Sequence, residues 1–594
     1  LLSDCRCGSY KTILTCKREI LVIKSLYGDT EMRKVKIPQR SKSSSVASSL
    51  LQREWLVVSL LMLLALLLRL TNISATSFWI DELYTFMVAN GRLQPDTLPQ
   101  TILPASEWVS RYIAWQPLQW QTLLEALKIN VHMPLYYVLL NPWLHWFGTH
   151  EAGLRSFSAV VSTLMLIPLY GLGKSLANGS RRAGVWVAVV AALVPFQIYY
   201  GQEGRMYALA MLWTCWACFS LWKTLYSQQP FRWSMVYALS LLLGFFTHYM
   251  FAFIVAFHLL YILLWLIRCT PDEGGGRSRI RFLCLPYLAL GVALWFWLPI
   301  YRIQHNGLNE EYHFAKSLVK WHRYVSLPLW QPMVMIAGSN NLERVFYFPL
   351  LIGLFLFQLA RLKNGAARLV KPRHGLFLAL WIFAPLLLQI AYDFLNKTHI
   401  SVMDRYVLLI SPAMVLWMGL TLAQLFSSRE DSQNAATSVD RQSVLKLNRF
   451  RAHKIGEKMV VGMMLIMAVL CVWSPSPFRD EHNKTKDIRR NVDFIVRRSR
   501  PQDLVMVNGP WGSNLITTYY LNQRQPQAPV LFWMSPYRHK DYPLPSRTVL
   551  QAYNRVWLFT YRSTNERGLE QIKTYLKTQY PHEKESVVWT LYGR

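Results

Sequence analysis

The stretch "WLVVSLLMLLALLLRL", residues 55–70, is followed almost at once by "SATSFWIDELYTF", residues 74–86. Sixteen nearly unbroken apolar residues form a membrane-crossing signal, since a span takes about 20 apolar residues with a range near 17–25. Two adjacent carboxylates, Asp81 and Glu82, then stand where the chain would leave the bilayer, between Trp79 and Tyr84. Aromatic rings are at home at that depth. A pair of like charges is not, and it calls for an explanation.

Working outward, the composition agrees with a membrane protein. Of 594 residues 53% are hydrophobic and 16% charged, against about 25% charged in a typical soluble domain. The net charge of +31 does not indicate nucleic acid, because the basic residues gather between apolar runs, where they act as orientation signals. The eight cysteines form no disulfide framework. Cys215 and Cys218 make a CxxC inside the apolar run "ALAMLWTCWACFSLW", where they read as small helix-face residues. Residues 1–31 show neither a signal-peptide pattern nor a helical period, and Met32 before "RKVKIPQR" reads as a more natural start. An over-extended gene model is therefore expected there, which N-terminal sequencing that found Leu1 would refute.

Eleven spans are expected, at about 54–71, 154–173, 184–200, 206–222, 233–248, 250–267, 282–300, 345–360, 376–393, 406–426 and 458–474. The apolar segment 134–148, "PLYYVLLNPWLHWFG", is too short: as a helix it covers about 22 Å against a core near 30 Å. Pro142 weakens it further. The arm before residue 54 and "GKSLANGSRR" at 173–182 are both basic, hence both cytoplasmic, and an even number of crossings must separate them. Segment 134–148 therefore lies in the interface or re-enters.

Carried onward, the charge bias places the N-terminus inside and the C-terminus outside, with outer loops at 72–153, 201–205, 301–344 and 394–405. Three regions follow: a cytoplasmic basic arm (1–53), a transmembrane catalytic domain (54–474) and an extracytoplasmic domain (475–594). The last alternates helical segments with the apolar strands "DLVMVN", "PVLFW", "RVWLFTY" and "ESVVWTLY". A small α/β domain with a largely parallel sheet is expected.

This topology gathers polar residues at one rim: Asp81, Glu82, His132, Glu203, Arg205, His248, Tyr249, Asp404, Arg405 and Tyr406. Charged side chains near lipid usually face a cavity or a partner. Each also has a plain structural reading, as a solvated loop residue, an interfacial ion pair, a helix-end histidine or a headgroup anchor. Jointly they suit catalysis. One carboxylate can take a proton from an acceptor, while the other orients it or holds a divalent cation. Arg205 and Arg405 can balance the acids or clamp a phosphate.

The motifs "FWIDELYT", "HMPLYYVLLNPWLHWFGTHEAGLRSFSAV", "YYGQEGRMYALAML", "THYMFAFIVAFHLLYIL" and "MDRYVLLISPAMVL" occur in an order that resembles GT-C-fold glycosyltransferases. The resemblance is to the bacterial branch similar to dolichyl-phosphate-mannose protein mannosyltransferases and lipid A aminoarabinose transferases, and it covers roughly residues 50–430. It implies a polytopic α-helical protein with juxtamembrane helices in the first outer loop and a small C-terminal α/β domain on the outer face. It implies transfer of a sugar from a polyprenyl-phosphate carrier to a protein, lipid or glycan acceptor, with inversion. Asp81 would be the base, with Glu82 and Glu203 as further catalytic acids. His132, Tyr136, Arg205, Tyr207, His248, Arg405 and Tyr406 would bind substrate. Met133 and Gly204 depart from the common pattern without removing a chemical group. Metal use varies in the family, so a divalent cation is left open. The expected partners are the lipid-linked donor, an unidentified acceptor and membrane lipids, with no nucleic acid. The alternative, a transporter or flippase for lipid-linked sugars, would want ionisable groups near the midplane or repeated halves, and neither is evident.

Overall fold

The computed structural model describes residues 42–92, 101–129, 131–268, 277–311, 321–338, 341–363, 372–426, 442–473, 488–509, 511–533, 544–560, 566–585 and 589–593. The expected start of the chain and most of the basic arm lie outside these residues. Each run expected to span is mostly helical, although 154–173, 184–200 and 406–426 are each divided between consecutive helices. By length and composition, six described helices can cross a membrane: Glu151–Leu176, Arg281–His305, Glu343–Arg361, His374–Asn396, Asp404–Phe426 and Ile455–Trp473. A seventh crossing arises if the bent pair Arg181–Leu193 and Pro195–Gly201 counts as one span. The chain is thus an integral membrane protein, and these helices do not by themselves reach the expected eleven.

Glu151–Leu176 and Asp404–Phe426 are mostly enclosed, whereas Arg281–His305, Glu343–Arg361 and Ile455–Trp473 leave most of their apolar surface bare. That contrast is the signature of central helices ringed by lipid-facing ones.

The 59° bend between Arg181–Leu193 and Pro195–Gly201 has an identifiable cause. Pro195 has no N–H for the carbonyl four residues back, so the Ala191 carbonyl loses its helical partner. Arg69, fully buried at the end of the first long helix (Lys42–Leu70), donates to Ala191 O at 3.0 Å and Ala192 O at 3.2 Å. Its Nε donates to Ser162 Oγ at 2.8 Å. A cation at the foot of an apolar run thus repairs a broken helix.

Segment 134–148 is a 13-residue helix, Leu135–Phe147, with Pro142 inside it. Gly148, at φ +82°, turns the chain into the helix that begins at Glu151. A Cβ on Gly153 would come within 2.0 Å of Gly148 O, so the tight reversal depends on both glycines. The expected outer loop 301–344 contains a helix the sequence reading missed, Trp321–Ala337, with Pro328 and Pro332 inside.

The C-terminal region forms a six-stranded sheet ordered β1-β3-β2-β4-β6-β5. The strands are β1 (Leu103–Pro104), β2 (Leu504–Asn508), β3 (Pro529–Trp533), β4 (Arg555–Thr560), β5 (His582–Glu585) and β6 (Trp589–Gly593). Strand β2 pairs in parallel with β3 and β4, while the other three pairings are antiparallel, so the sheet is mixed rather than largely parallel. Alternation along β2 sends Leu504 and Met506 to one face and Val505 and Val507 to the other. The first pair packs in a core with Leu550, Ile572 and Leu576. The second joins the core that also holds Phe78, Trp108 and Trp511. Both faces are therefore covered, and β1 comes from the 72–153 loop.

Candidate active site

Helix Ile80–Ala89 opens with both carboxylates in its first turn, where the helix dipole favours negative charge. Neighbouring helical positions diverge by about 100°, so the two acids meet different surroundings. Asp81 keeps a third of its side chain exposed, while Glu82 is almost fully buried. Arg155 grips Glu82 with two bonds, Nε to Oε1 at 2.8 Å and Nη2 to Oε2 at 2.7 Å. The Gly204 N–H donates to Oε1 at 2.9 Å. Fork-to-fork pairing of this kind fixes a carboxylate's orientation as well as its charge. Arg155 also donates to the carbonyls of Ile73 (2.8 Å), Thr76 (3.0 Å) and Ser77 (3.0 Å), the link that leads into the helix.

The second acidic loop is thereby tied to the first. Gly204 sits so close that an added Cβ would lie 2.4 Å from Leu154 Cγ and 3.1 Å from Glu82 Oε1. The departure at this position is thus a packing requirement. Glu203 is buried, and its Oε2 has no hydrogen-bond partner. Burial pushes its carboxyl up to about 8, helped by Glu82 and Asp81 and opposed by Arg205 and Arg405.

Arg205 is buried beside Asp81. It donates to Asp81 O at 3.0 Å, Thr85 Oγ1 at 2.9 Å and His132 Nε2 at 3.0 Å, and it stands 3.9 Å from Asp81 Oδ2. Burial works against its charge, but Tyr207 and Asp81 outweigh that and raise it above the usual arginine range. Arg405 approaches the same Oδ2 to 3.5 Å. A partly exposed carboxylate thus lies between two guanidiniums.

The histidines are neutral. His132 accepts from Arg205 at Nε2, so its proton sits on Nδ1. Burial, then Arg205 and His248, hold it well below the ordinary range. His248 accepts from Met250 N–H at Nδ1, 3.1 Å. Its ring lies 6.0 Å from that of Tyr207 and 6.4 Å from that of Tyr406. Arg405 lies 5.3 Å over the Tyr406 ring.

The loop that delivers Arg405 is organised by Asp393, which the sequence reading did not single out. Its carboxylate accepts from Ile400 N (2.9 Å), Ser401 N (2.9 Å), Thr398 Oγ1 (2.6 Å) and Ser401 Oγ (2.6 Å). Gln389 then donates to Tyr406 O at 2.9 Å.

Around Asp81 the structure therefore assembles Glu82, Glu203, Arg205, Tyr207, His132, His248, Arg405 and Tyr406. Tyr136 is placed differently: it is fully buried, with its hydroxyl 3.3 Å from Ser158 Oγ behind the Arg205 turn. Its neighbour Tyr137 has a buried hydroxyl without a partner and interacts electrostatically with Arg205 and Asp81. Both stand in "PLYYVLL", and both interact electrostatically with Arg205. Arg155 was within a quoted motif, yet nothing local marked it. Among the described residues no three of His, Cys, Asp and Glu converge as metal ligands. Among the described residues, Arg205 and Arg405 are the basic side chains paired with Asp81.

No family model matches the chain, and no curated protein matches it. Solved structures do. ArnT from Cupriavidus metallidurans bound to undecaprenyl phosphate is 12% identical over 90% of this chain and 97% of that one, with a TM-score of 0.50. The apo form of the same protein gives 11%, the same coverage and 0.49. The oligosaccharyltransferase AglB from Archaeoglobus fulgidus, in complex with an inhibitory peptide and a dolichol-phosphate, gives 11% over 85% of this chain and 69% of that one, at 0.46. The undecaprenyl-phosphate-bound ArnT shares its fold with nearly the whole of this chain, and that fold is the one the order of the motifs implies.

Proposed function

We propose that the protein is a membrane glycosyltransferase that moves a sugar from a polyprenyl-phosphate carrier to an acceptor on the outer face, with Asp81 as general base. The observation that carries this reading is the division of labour between the adjacent acids. Glu82 is locked by Arg155 and Gly204, whereas Asp81 is partly exposed between Arg205 and Arg405. The fold shared with ArnT, a protein solved bound to undecaprenyl phosphate, supports a lipid-phosphate donor. Eleven crossings, with the N-terminus inside and the C-terminal sheet outside, complete the proposed topology.

In the reaction the acceptor oxygen or nitrogen attacks the anomeric carbon as its proton passes to an Asp81 oxygen. The bond from that carbon to the phosphate oxygen breaks, and its electron pair leaves with the polyprenyl phosphate. Single displacement inverts the anomeric centre, through an oxocarbenium-like transition state. Arg405, with Arg205 behind it, stabilises the negative charge that builds on the departing phosphate. Glu82 acts as a positioning residue rather than a reacting one. Glu203, with a carboxyl that stays largely protonated near neutrality, offers a hydrogen bond to a sugar hydroxyl or phosphate oxygen, and the Tyr137 hydroxyl offers another. Neutral His132 fixes the Arg205 fork.

Purified protein supplied with defined polyprenyl-phosphate sugars tests the reading. Transfer from lipid-linked but not nucleotide-linked sugars is expected, and transfer undiminished in Asp81→Asn would overturn the base assignment.

A further inference from the structure

Residues 73–79 connect the first long helix to the helix bearing Asp81, and their backbone is held from two sides. Arg155 takes the carbonyls of Ile73, Thr76 and Ser77. The other grip comes from more than 400 residues further along the chain. Arg489 donates through both terminal nitrogens to Ser74 O, each at 3.2 Å. The Phe78 N–H donates to Tyr520 Oη at 2.8 Å.

Glu151 joins the two grips. The Tyr520 hydroxyl donates to Glu151 Oε1 at 2.7 Å, and Arg489 pairs with the same oxygen. Glu151 opens the helix Glu151–Leu164 that carries Arg155. A closed circuit results: one helix holds the link directly through Arg155 and indirectly through Glu151, Tyr520 and Arg489. Glu151 and Tyr520 are both buried, so these bonds compete little with water.

The packing repeats this layout. Phe78 lies edge-on to Phe86, with ring centroids 5.0 Å apart, and to Tyr519 at 5.3 Å. A Cβ on Gly512 would come 2.9 Å from Ile80 Cγ2, so helix Trp511–Asn522 abuts the residue before Asp81.

We infer that Tyr520, Arg489 and Glu151 are positioning residues that set the reach of the Asp81 carboxylate, which makes the C-terminal region part of the catalytic apparatus. The inference rests on Asp81 being the base. Its physical content is that the bonds go to the backbone of the link itself. They therefore fix its path three residues before the reacting group, where a displacement near 1 Å can cost about 100-fold in rate.

Tyr520→Phe tests this in the full chain reconstituted in lipid nanodiscs. It keeps the ring and removes both hydrogen bonds. Tyr519→Phe is the control: it lies on the same helix, and its hydroxyl bonds Thr149 O, at 3.5 Å, and the Gln523 side chain rather than the backbone of the link. Hydrogen exchange of a peptide spanning residues 74–86 should rise in Tyr520→Phe and stay at the wild-type rate in Tyr519→Phe. In steady-state transfer kcat should fall about 10- to 100-fold in Tyr520→Phe, while KM for the lipid donor stays within about 2-fold, as expected for lost transition-state alignment. Unchanged exchange, or equal kcat losses in the two variants, would overturn the inference. The exchange arm needs no turnover. A wild type inactive with every lipid-phosphate sugar would therefore count against the glycosyltransfer reading, while exchange still decides the coupling.

Discussion

Glu82 and Arg155, 73 positions apart in sequence and on different helices, form a buried two-bond ion pair with nitrogen–oxygen distances of 2.8 and 2.7 Å. The Gly204 amide completes it at 2.9 Å. One carboxylate thus joins the first acidic loop, the central Glu151–Leu164 helix and the second acidic loop. Its neighbour Asp81 stays partly exposed beside Arg205 and Arg405, while Glu82 carries the scaffold.

Removing one member of this pair leaves the other charge buried and uncompensated, which costs about 3–5 kcal/mol. Arg155→Met should lower the thermal unfolding temperature of the purified protein and abolish transfer together with the fold. Asp81→Asn, at a partly exposed position, should leave the unfolding temperature within a few degrees of wild type. A stable, active Arg155→Met would show that the pair does not hold the site.

Glu203 provides a pH test. Burial pushes its carboxyl up to about 8 from the ordinary 4.5, so the folded state holds an extra proton between those values. The stability this group contributes is fully present below about 4.5 and is lost as pH rises towards 8. Glu203→Gln cannot titrate. Thermal unfolding from pH 5 to 8 should show the variant gaining on wild type as pH rises. A constant gap would mean that Glu203 is ionised throughout. His132, held far below its ordinary 6.5 in the folded state, takes up a proton on unfolding at the acid end of this range, which lowers the stability of wild type and variant alike and cancels from the gap between them.

Much of the fold was legible because bilayer chemistry writes it in long apolar runs. Each of the eleven runs is mostly helical, with 154–173, 184–200 and 406–426 divided between consecutive helices, and segment 134–148 is a short helix with Pro142 inside it. The strands "LVMVN", "PVLFW" and "RVWLFT" were legible because both faces are buried and the runs are continuously apolar. Strand β5, "HEKE", is not apolar at all; it is fixed by its ladder to β6 and carries no sequence signal. Strand β1 is two residues long and exists through pairing with Val530 and Pro529. The helix Trp321–Ala337 was hidden by its two prolines.

The candidate site was legible as a set but not in its parts. Asp81 and Glu82 are the same kind of group one residue apart, and what distinguishes them is Arg155, brought there by the fold. Tyr136 and Tyr137 pose the same problem: both lie within electrostatic reach of Arg205, but the Tyr136 hydroxyl meets Ser158 while Tyr137 also interacts with Asp81. Long-range partners such as Asp393 for the 398–401 loop leave no local trace.

Arg405 separates charge from geometry. A lysine would keep the positive charge near Asp81 but lose the planar fork that suits a phosphate. Arg405→Lys is expected to lower kcat by about 10-fold and Arg405→Ala by about 100-fold or more, within the range for one lost transition-state donor. Equal activity in Arg405→Lys and wild type would remove the arginine from contact with the leaving group.

Single-turnover transfer from a defined polyprenyl-phosphate sugar by Asp81→Asn, compared with wild type at equal folded protein, addresses the general base most directly. A rate reduced by about 100- to 10,000-fold, with donor binding retained and thermal stability preserved, is expected. Transfer at the wild-type rate would contradict Asp81 as the base and, with it, the division of labour between Asp81 and Glu82.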